Sequence, residues 1–387
     1  MVDQEITTEN WGVPPLNRWS FQNMQQLFPT ARLRRGSGPI VGFENDHRDL
    51  SDISYGGLDG SRRRVREMLE ESQTDAFLVA KNGTIYCEQY SNGMAADSLH
   101  LLNSVTKSYV GMLTGILVER GCLQVDDLVA DYVPDLLETA FSETTIRHLL
   151  DMSAAVEYGE DYTDPDADFW VESAVVGWRP ALLQNDSAVT LLDYAKSLHG
   201  KEQVDGEKYH YRTVLTNVLG MVLETAGGRT LQDLLQSEIW SRLGPEQDAA
   251  IVADRTGFPY VGAGMNACAR DLARFGQMIV QRGEFNGQQI VPSTWIDDAR
   301  YADDHARRIF AASEYGEFMP GGHYRNKFWV RDSERGVLIA IGIHGQIIYM
   351  DMVTRVVIVK LSSQPESADI PVFNDTFDAM EAISDAI

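Results

Sequence analysis

Apolar positions along the chain change their spacing from one region to the next. After Ser61, Val65, Met68 and Leu69 recur at i, i+3 and i+4 in a charged stretch, which predicts a surface helix with one buried stripe. Ala76 to Ala80 is a short apolar run, Asn82-Gly83 follows, and Thr84 to Tyr90 is rich in β-branched and aromatic residues. An Asn-Gly pair between two such runs predicts a β-hairpin. From Ser104 to Arg120 the set Val105, Tyr109, Met112, Leu113, Ile116 and Leu117 repeats at helical spacing, with Gly121 placed as a C-cap. The stretches Glu143 to Met152, Leu191 to Leu198 and Thr216 to Thr225 also suit helices. Beyond residue 325 come three strand-like runs, Val337 to Ile341, Ile347 to Met350 and Val356 to Leu361, before an amphipathic segment from Phe373 to Ile387. Residues 1 to 60 keep no period and read as a packed arm.

Strands near both ends with helices between them imply one sheet to which both terminal parts contribute. We therefore expect a discontinuous α/β region, 1–138 and 280–387, a mainly helical region, 139–279, and an active site in the crevice between. At about 150 residues per domain, 387 residues suit two to three domains or one large two-part enzyme. No repeat at a fixed period is present.

Charge narrows the partners. With 57 acidic and 33 basic side chains the formal charge is −24, which repels phosphate backbones and anionic headgroups, so neither nucleic acid nor membrane is expected. The longest nearly apolar stretch, Val337 to Ile343, is far short of the roughly 20 residues that span a bilayer. Met1 to Glu5 carries acids where a secretory leader carries bases, and a cytoplasmic protein is expected. Cys87, Cys122 and Cys268 are too few and too scattered for a disulfide framework and read as reduced, mostly buried thiols. Neither H-E-x-x-H nor a Cys/His cluster points to a metal, and no Walker A or strand-borne G-x-G-x-x-G motif points to a nucleotide, so no cofactor is expected. A G-x-S-x-G elbow is also missing.

Candidate chemistry begins at Ser104-Val105-Thr106-Lys107, an S-x-x-K at the start of a helix, where residues three apart share a face. A serine hydroxyl needs a neighbour to take its proton, and a lysine does so only when desolvation or nearby cations lower its pKa. Lys107 is placed to be that base, and the positive helix end beside Ser104 can help hold an oxyanion. A second proton carrier is expected, and Tyr209-His210-Tyr211 offers two tyrosines before the apolar run Thr216 to Thr225. Gly342-Ile343-His344-Gly345-Gln346 follows a strand, and its glycines permit close backbone approach to an oxyanion. The acids Glu157, Glu160, Asp161, Asp164, Asp166 and Asp168 read as a solvated loop, with a cation or substrate ammonium as a secondary reading.

Ser104-x-x-Lys107, Thr145 to Met152 and the tyrosine element resemble the serine hydrolases that share the class C β-lactamase and penicillin-recognising fold. Asn17-Arg18-Trp19, Thr74 to Val79, Asp161-Tyr162, Ala269 to Arg274, Gly342 to Gln346 and Val357 to Ser363 narrow the resemblance to the 6-aminohexanoate-dimer (nylon-oligomer) hydrolases and family VIII carboxylesterases. The resemblance implies a β-lactamase/transpeptidase-like fold, an antiparallel sheet flanked by helices with a mainly helical second region. It also implies Ser104 as nucleophile, Lys107 as base and Tyr211, rather than Tyr209, as proton shuttle. Oxyanion donors would be the backbone N–H groups of Ser104 and Ile343. Tyr162 and Trp329 would line the substrate pocket, with Phe169 and Trp170 as further wall candidates and His344 and Ser173 as substrate contacts, Glu172 pointing away. Tyr211-Arg212-Thr213 departs from the β-lactamase Tyr-x-Asn, and Ala340-Ile341-Gly342 or His344-Gly345 stands where Lys-Thr-Gly is usual, so the anchor of a β-lactam carboxylate is missing.

The expected activity is hydrolysis of a small-molecule ester or amide through an acyl-enzyme: short esters first, linear amides such as the 6-aminohexanoate dimer second, β-lactams last. An inactive scaffold or binding protein of the same fold and a β-lactamase or D-Ala-D-Ala peptidase are the alternatives. A homodimer stays open.

Overall fold

In the computed structural model of this chain, residues 5–182 and 189–387 are described; Met1 to Gln4, read above as part of a leader test, lie outside them. The main sheet has eight strands: Glu44–Asn45 (β1), Thr74–Lys81 (β2), Thr84–Tyr90 (β3), His323–Arg325 (β4), Phe328–Asp332 (β5), Val337–Gly342 (β6), Gln346–Asp351 (β7) and Val356–Ser362 (β8). Their spatial order is β4-β5-β6-β7-β8-β2-β3-β1. All neighbours run antiparallel except β1, which lies parallel to β3. The Asn82-Gly83 pair, both at positive φ, turns β2 into β3 as its sequence predicts.

Both ends of the chain meet in the middle of this sheet, where β8 pairs with β2 and sets Val357 opposite Ala80 and Lys360 opposite Phe77. Strands β7 and β8 are buried throughout, which is why they read as unbroken apolar runs instead of alternating ones. Helix Ala269–Val280 lies across β2, β7 and β8.

The helix Thr106–Glu119 (α1) continues a 3-10 turn, Asn103–Val105, and is buried as far as Leu117. Its backbone is approached closely. A Cβ on Gly111 would stand 2.1 Å from the Asn326 carbonyl oxygen, so only glycine admits the β4–β5 turn there. Ser108 Oγ donates to the Lys327 carbonyl at 2.9 Å, and Trp295 Nε1 donates to the Gly111 carbonyl at 3.0 Å. These contacts fix the turn of α1 that carries the S-x-x-K motif.

The part between residues 139 and 279 is not helical throughout. It supplies two strands, Ala249–Val252 and Met265–Ala267, to a second sheet ordered Thr30–Leu33, Ala249–Val252, Met265–Ala267, His100–Leu101. Both are short and wholly buried, so they show neither the alternation nor the length that separates a strand from a buried helix segment. The arm likewise carries short elements, Asn17–Ser20, Met24–Leu27 and Thr30–Leu33 among them. Helix bounds shift from the sequence reading: Glu143 to Met152 shrinks to Ile146–Leu150 behind a Thr145 cap, and Thr216 to Thr225 lengthens to Val214–Gly227. Among the described residues no helix is long and apolar enough to cross a membrane. Cys87 and Cys268 are buried, Cys122 is exposed, and all three are free thiols.

Candidate active site

Ser104 sits at the floor of a cleft of about 1050 Å³, lined among others by Tyr162, Tyr211, Trp329 and Ile343. One turn on, the fully buried Lys107 extends along α1, and its Nζ donates to Ser104 Oγ at 2.7 Å. The same Nζ donates to Thr213 Oγ1 at 2.9 Å and to the Gly262 carbonyl at 2.6 Å. An ammonium has three protons and all three are used. Once one is lost, the Thr213 and Gly262 oxygens still hold two N–H bonds, and the lone pair points at the serine hydroxyl.

Two acids stand behind this arrangement, Glu160 half-buried at the cleft wall and Glu172 fully buried. Thr213 Oγ1 donates to Glu160 Oε1 at 2.6 Å, which turns the threonine lone pair toward Lys107. Glu160 also accepts from the Thr213 N–H and, at 2.7 Å, from Tyr162 Oη. On the other side Asn217 donates to Glu172 at 2.7 Å while its Oδ1 accepts from the Gly262 N–H at 2.8 Å, so the glycine whose carbonyl holds Lys107 is itself held. Burial pushes the Lys107 pKa down to about 8, with Glu160 and Glu172 pulling the other way. Burial likewise raises Glu172 to about 7 and lifts Glu160 above the ordinary carboxylate range.

Tyr211 faces the same serine. Its ring lies 5.0 Å from Lys107 Nζ and stacks on Trp329 at 5.6 Å. Burial holds its phenol well above the usual value, and interaction with the Ser104 hydroxyl opposes this. Tyr209 is excluded from the cleft: its ring packs among Phe310, Tyr315 and Tyr324, and its hydroxyl has no partner among the described residues.

Ile343 opens a 3-10 turn, Ile343–Gly345, at the end of β6, and Ser104 lies in the first turn of its own 3-10 segment. First-turn N–H groups lack intrahelical acceptors, and both residues line the cleft. Asn103 joins the two elements by donating from Nδ2 to the Ile343 carbonyl at 3.0 Å. The approach needs Gly342, since a Cβ there would lie 2.3 Å from the Leu102 carbonyl oxygen.

The remaining sequence candidates divide. Tyr162 and Trp329 line the cleft. His344 does not; burial lowers it to about 4, its Nδ1 bonds the Gln364 carbonyl at 2.7 Å, and it braces the turn as a neutral ring. Ser173 is fully buried in helix Asp168–Val175, with Oγ donating to the Trp170 carbonyl at 2.9 Å, and lines neither the cleft nor any pocket beside it. Phe169 and Trp170 wall a side chamber instead of the cleft. Glu160, read as part of a solvated loop, is bonded into the lysine network. Its signal in the sequence was faint: it needs Thr213, 53 residues away, as its partner.

Comparison with known proteins gives the family. The β-lactamase family model matches residues 62–380. A 6-aminohexanoate-dimer hydrolase of Paenarthrobacter ureafaciens is 32% identical over 367 residues, 94% of this chain and 89% of that one. A Bacillus anthracis structure assigned provisionally as a 6-aminohexanoate-dimer hydrolase superposes with a TM-score of 0.88 at 26% identity, covering 99% of this chain and 97% of that one. A family VIII carboxylesterase shares the fold, with a TM-score of 0.59 at 15% identity over 82% of this chain and 96% of its own. By sequence and by fold, then, the chain belongs to the β-lactamase family and is a serine hydrolase of that superfamily.

Proposed function

We propose that this hydrolase cleaves short carboxylic esters, and more slowly linear amides such as the 6-aminohexanoate dimer, through an acyl-enzyme on Ser104. The observation that carries the reading is the buried Lys107 amine 2.7 Å from Ser104 Oγ, with its other two protons already committed. Ser104 Oγ attacks the carbonyl carbon as its proton passes to Lys107. The N–H groups of Ser104 and Ile343 receive the oxyanion. Collapse breaks the C–O or C–N bond; Tyr211 gives its phenolic proton to the leaving oxygen or nitrogen and recovers one from Lys107. Water then attacks the acyl carbonyl, its proton returns through the same groups to Ser104 Oγ, and the carboxylic acid departs.

β-Lactams rank last because β6 presents Ala340-Ile341-Gly342 where a lysine would anchor their carboxylate. The free thiols of Cys87, Cys122 and Cys268 suit a reducing, cytoplasmic setting. A fluorophosphonate probe should label Ser104 stoichiometrically. A panel of p-nitrophenyl acetate and butyrate, the 6-aminohexanoate dimer, a chromogenic cephalosporin and a D-Ala-D-Ala peptide should be turned over in that order of kcat/KM. No labelling together with no ester turnover would leave an inactive scaffold. Efficient cephalosporin turnover without esterase activity would reverse the ranking.

A further inference from the structure

Beside the cleft lies a second, more enclosed space of about 240 Å³. Tyr162 and Ile343 line both, so the two adjoin next to the proposed oxyanion site. Tyr211 and Trp329 line only the cleft. Because Tyr211 is the donor to the leaving group, that half of the substrate belongs in the cleft, and the acyl half extends past Tyr162 into the chamber.

Most of the chamber's aromatic wall comes from two parts of the chain. Trp11 and Phe21 belong to the arm, and Phe169, Trp170 and Trp178 to helix Asp168–Val175 and the turn after it. This aromatic lining suits a methylene chain. One cation stands among these rings. Arg179, exposed, lays its guanidinium over the Trp170 ring at 4.1 Å. A guanidinium only donates, so an acyl end seated against Arg179 must accept. The one carboxylate in the lining, Glu9, is exposed on the arm.

We infer that the chamber takes an acyl chain that ends in a carboxylate, so that the preferred substrates are monoesters or monoamides of linear dicarboxylic acids. The inference rests on the acyl-enzyme reading above and narrows its substrate class. It also predicts weak turnover of the 6-aminohexanoate dimer, whose acyl half would bring an ammonium toward Arg179.

Three p-nitrophenyl esters with six-carbon acyl groups test this: hexanoate, hemiadipate and 6-aminohexanoate differ only at the distal end. The hemiadipate should exceed the hexanoate at least tenfold in kcat/KM, chiefly through KM, and the 6-aminohexanoate should fall below both. Arg179→Met should lower the hemiadipate-to-hexanoate ratio about tenfold, and Arg179→Lys should restore part of it. Monomethyl adipate and methyl hexanoate titrated onto Ser104→Ala, read by tryptophan fluorescence, give the same comparison without turnover. Tighter binding of the adipate ester, lost in Arg179→Met, supports the chamber even if Ser104 resists labelling and the acyl-enzyme reading falls. Equal binding of the two esters, no binding of either, or an adipate preference that survives Arg179→Met overturns it.

Discussion

The Asn103 carboxamide donates to the Ile343 carbonyl at 3.0 Å, so the residue before the nucleophile grips the strand end opposite it. Asn103 holds this position at φ +46, a left-handed conformation that asparagine tolerates better than most residues. Both proposed oxyanion donors therefore sit on one hydrogen-bonded joint. Asn103→Ala should lower kcat for p-nitrophenyl butyrate by about tenfold with little change in KM, less than the 10²–10³ that loss of a direct oxyanion donor costs. Unchanged kcat in a folded variant would show that the joint does not set the donors.

Lys107 works as a base only when neutral, and burial places its pKa at about 8. Activity should thus climb with pH and level off above that value: log kcat/KM for an ester falls by about one per pH unit below it. Esterase activity flat from pH 6 to 9 would remove lysine as the base.

Glu160 carries the next prediction. Its negative charge favours the ammonium form of Lys107, so neutralising it should let the proton leave more easily. Glu160→Gln should move the midpoint of the pH profile to lower pH. A merely structural loss would reduce kcat at every pH and leave the midpoint in place.

The main sheet and the S-x-x-K pair were legible because each is written locally: an Asn-Gly turn between two β-rich runs, and a serine and lysine three apart on one helix. What escaped was written across distance. Glu160 looked solvated because its neighbours 161, 164 and 166 are exposed acids, while its partners Thr213 and Lys107 come from elsewhere in the chain. Ser173 was placed by resemblance, and only packing decides that its hydroxyl turns back to the Trp170 carbonyl. The second sheet hid because its buried strands lack a polar face to betray their period.

Tyr211→Phe removes the phenolic proton and keeps the stack on Trp329. Amides should suffer more than esters, since an amine leaves poorly until protonated and p-nitrophenolate needs no help. We expect a loss of 10²-fold or more for the dimer and about tenfold or less for p-nitrophenyl butyrate, measured as kcat. Equal losses would assign the tyrosine to serine activation.

Gly111→Ala tests the seating of α1 rather than its chemistry. The added Cβ would meet a backbone carbonyl at 2.1 Å, which cannot rotate away, so destabilisation of about 1–3 kcal/mol is expected from overpacking. A thermal melt reads it directly; a Tm equal to that of the parent would mean the β4–β5 turn yields.

The pairing of β8 with β2 and the Asn103–Ile343 joint close loops of great length, 240 positions in the second case. Closing a loop of that size costs roughly 5 kcal/mol of chain entropy before any contact repays it, and folds dominated by such remote pairings form slowly. During synthesis Ser104 and Lys107 leave the ribosome long before β6 exists. On the proposed mechanism, a half-made chain therefore carries its nucleophile and base with nothing to receive an oxyanion, and remains chemically silent until the strands around residues 343 and 360 dock.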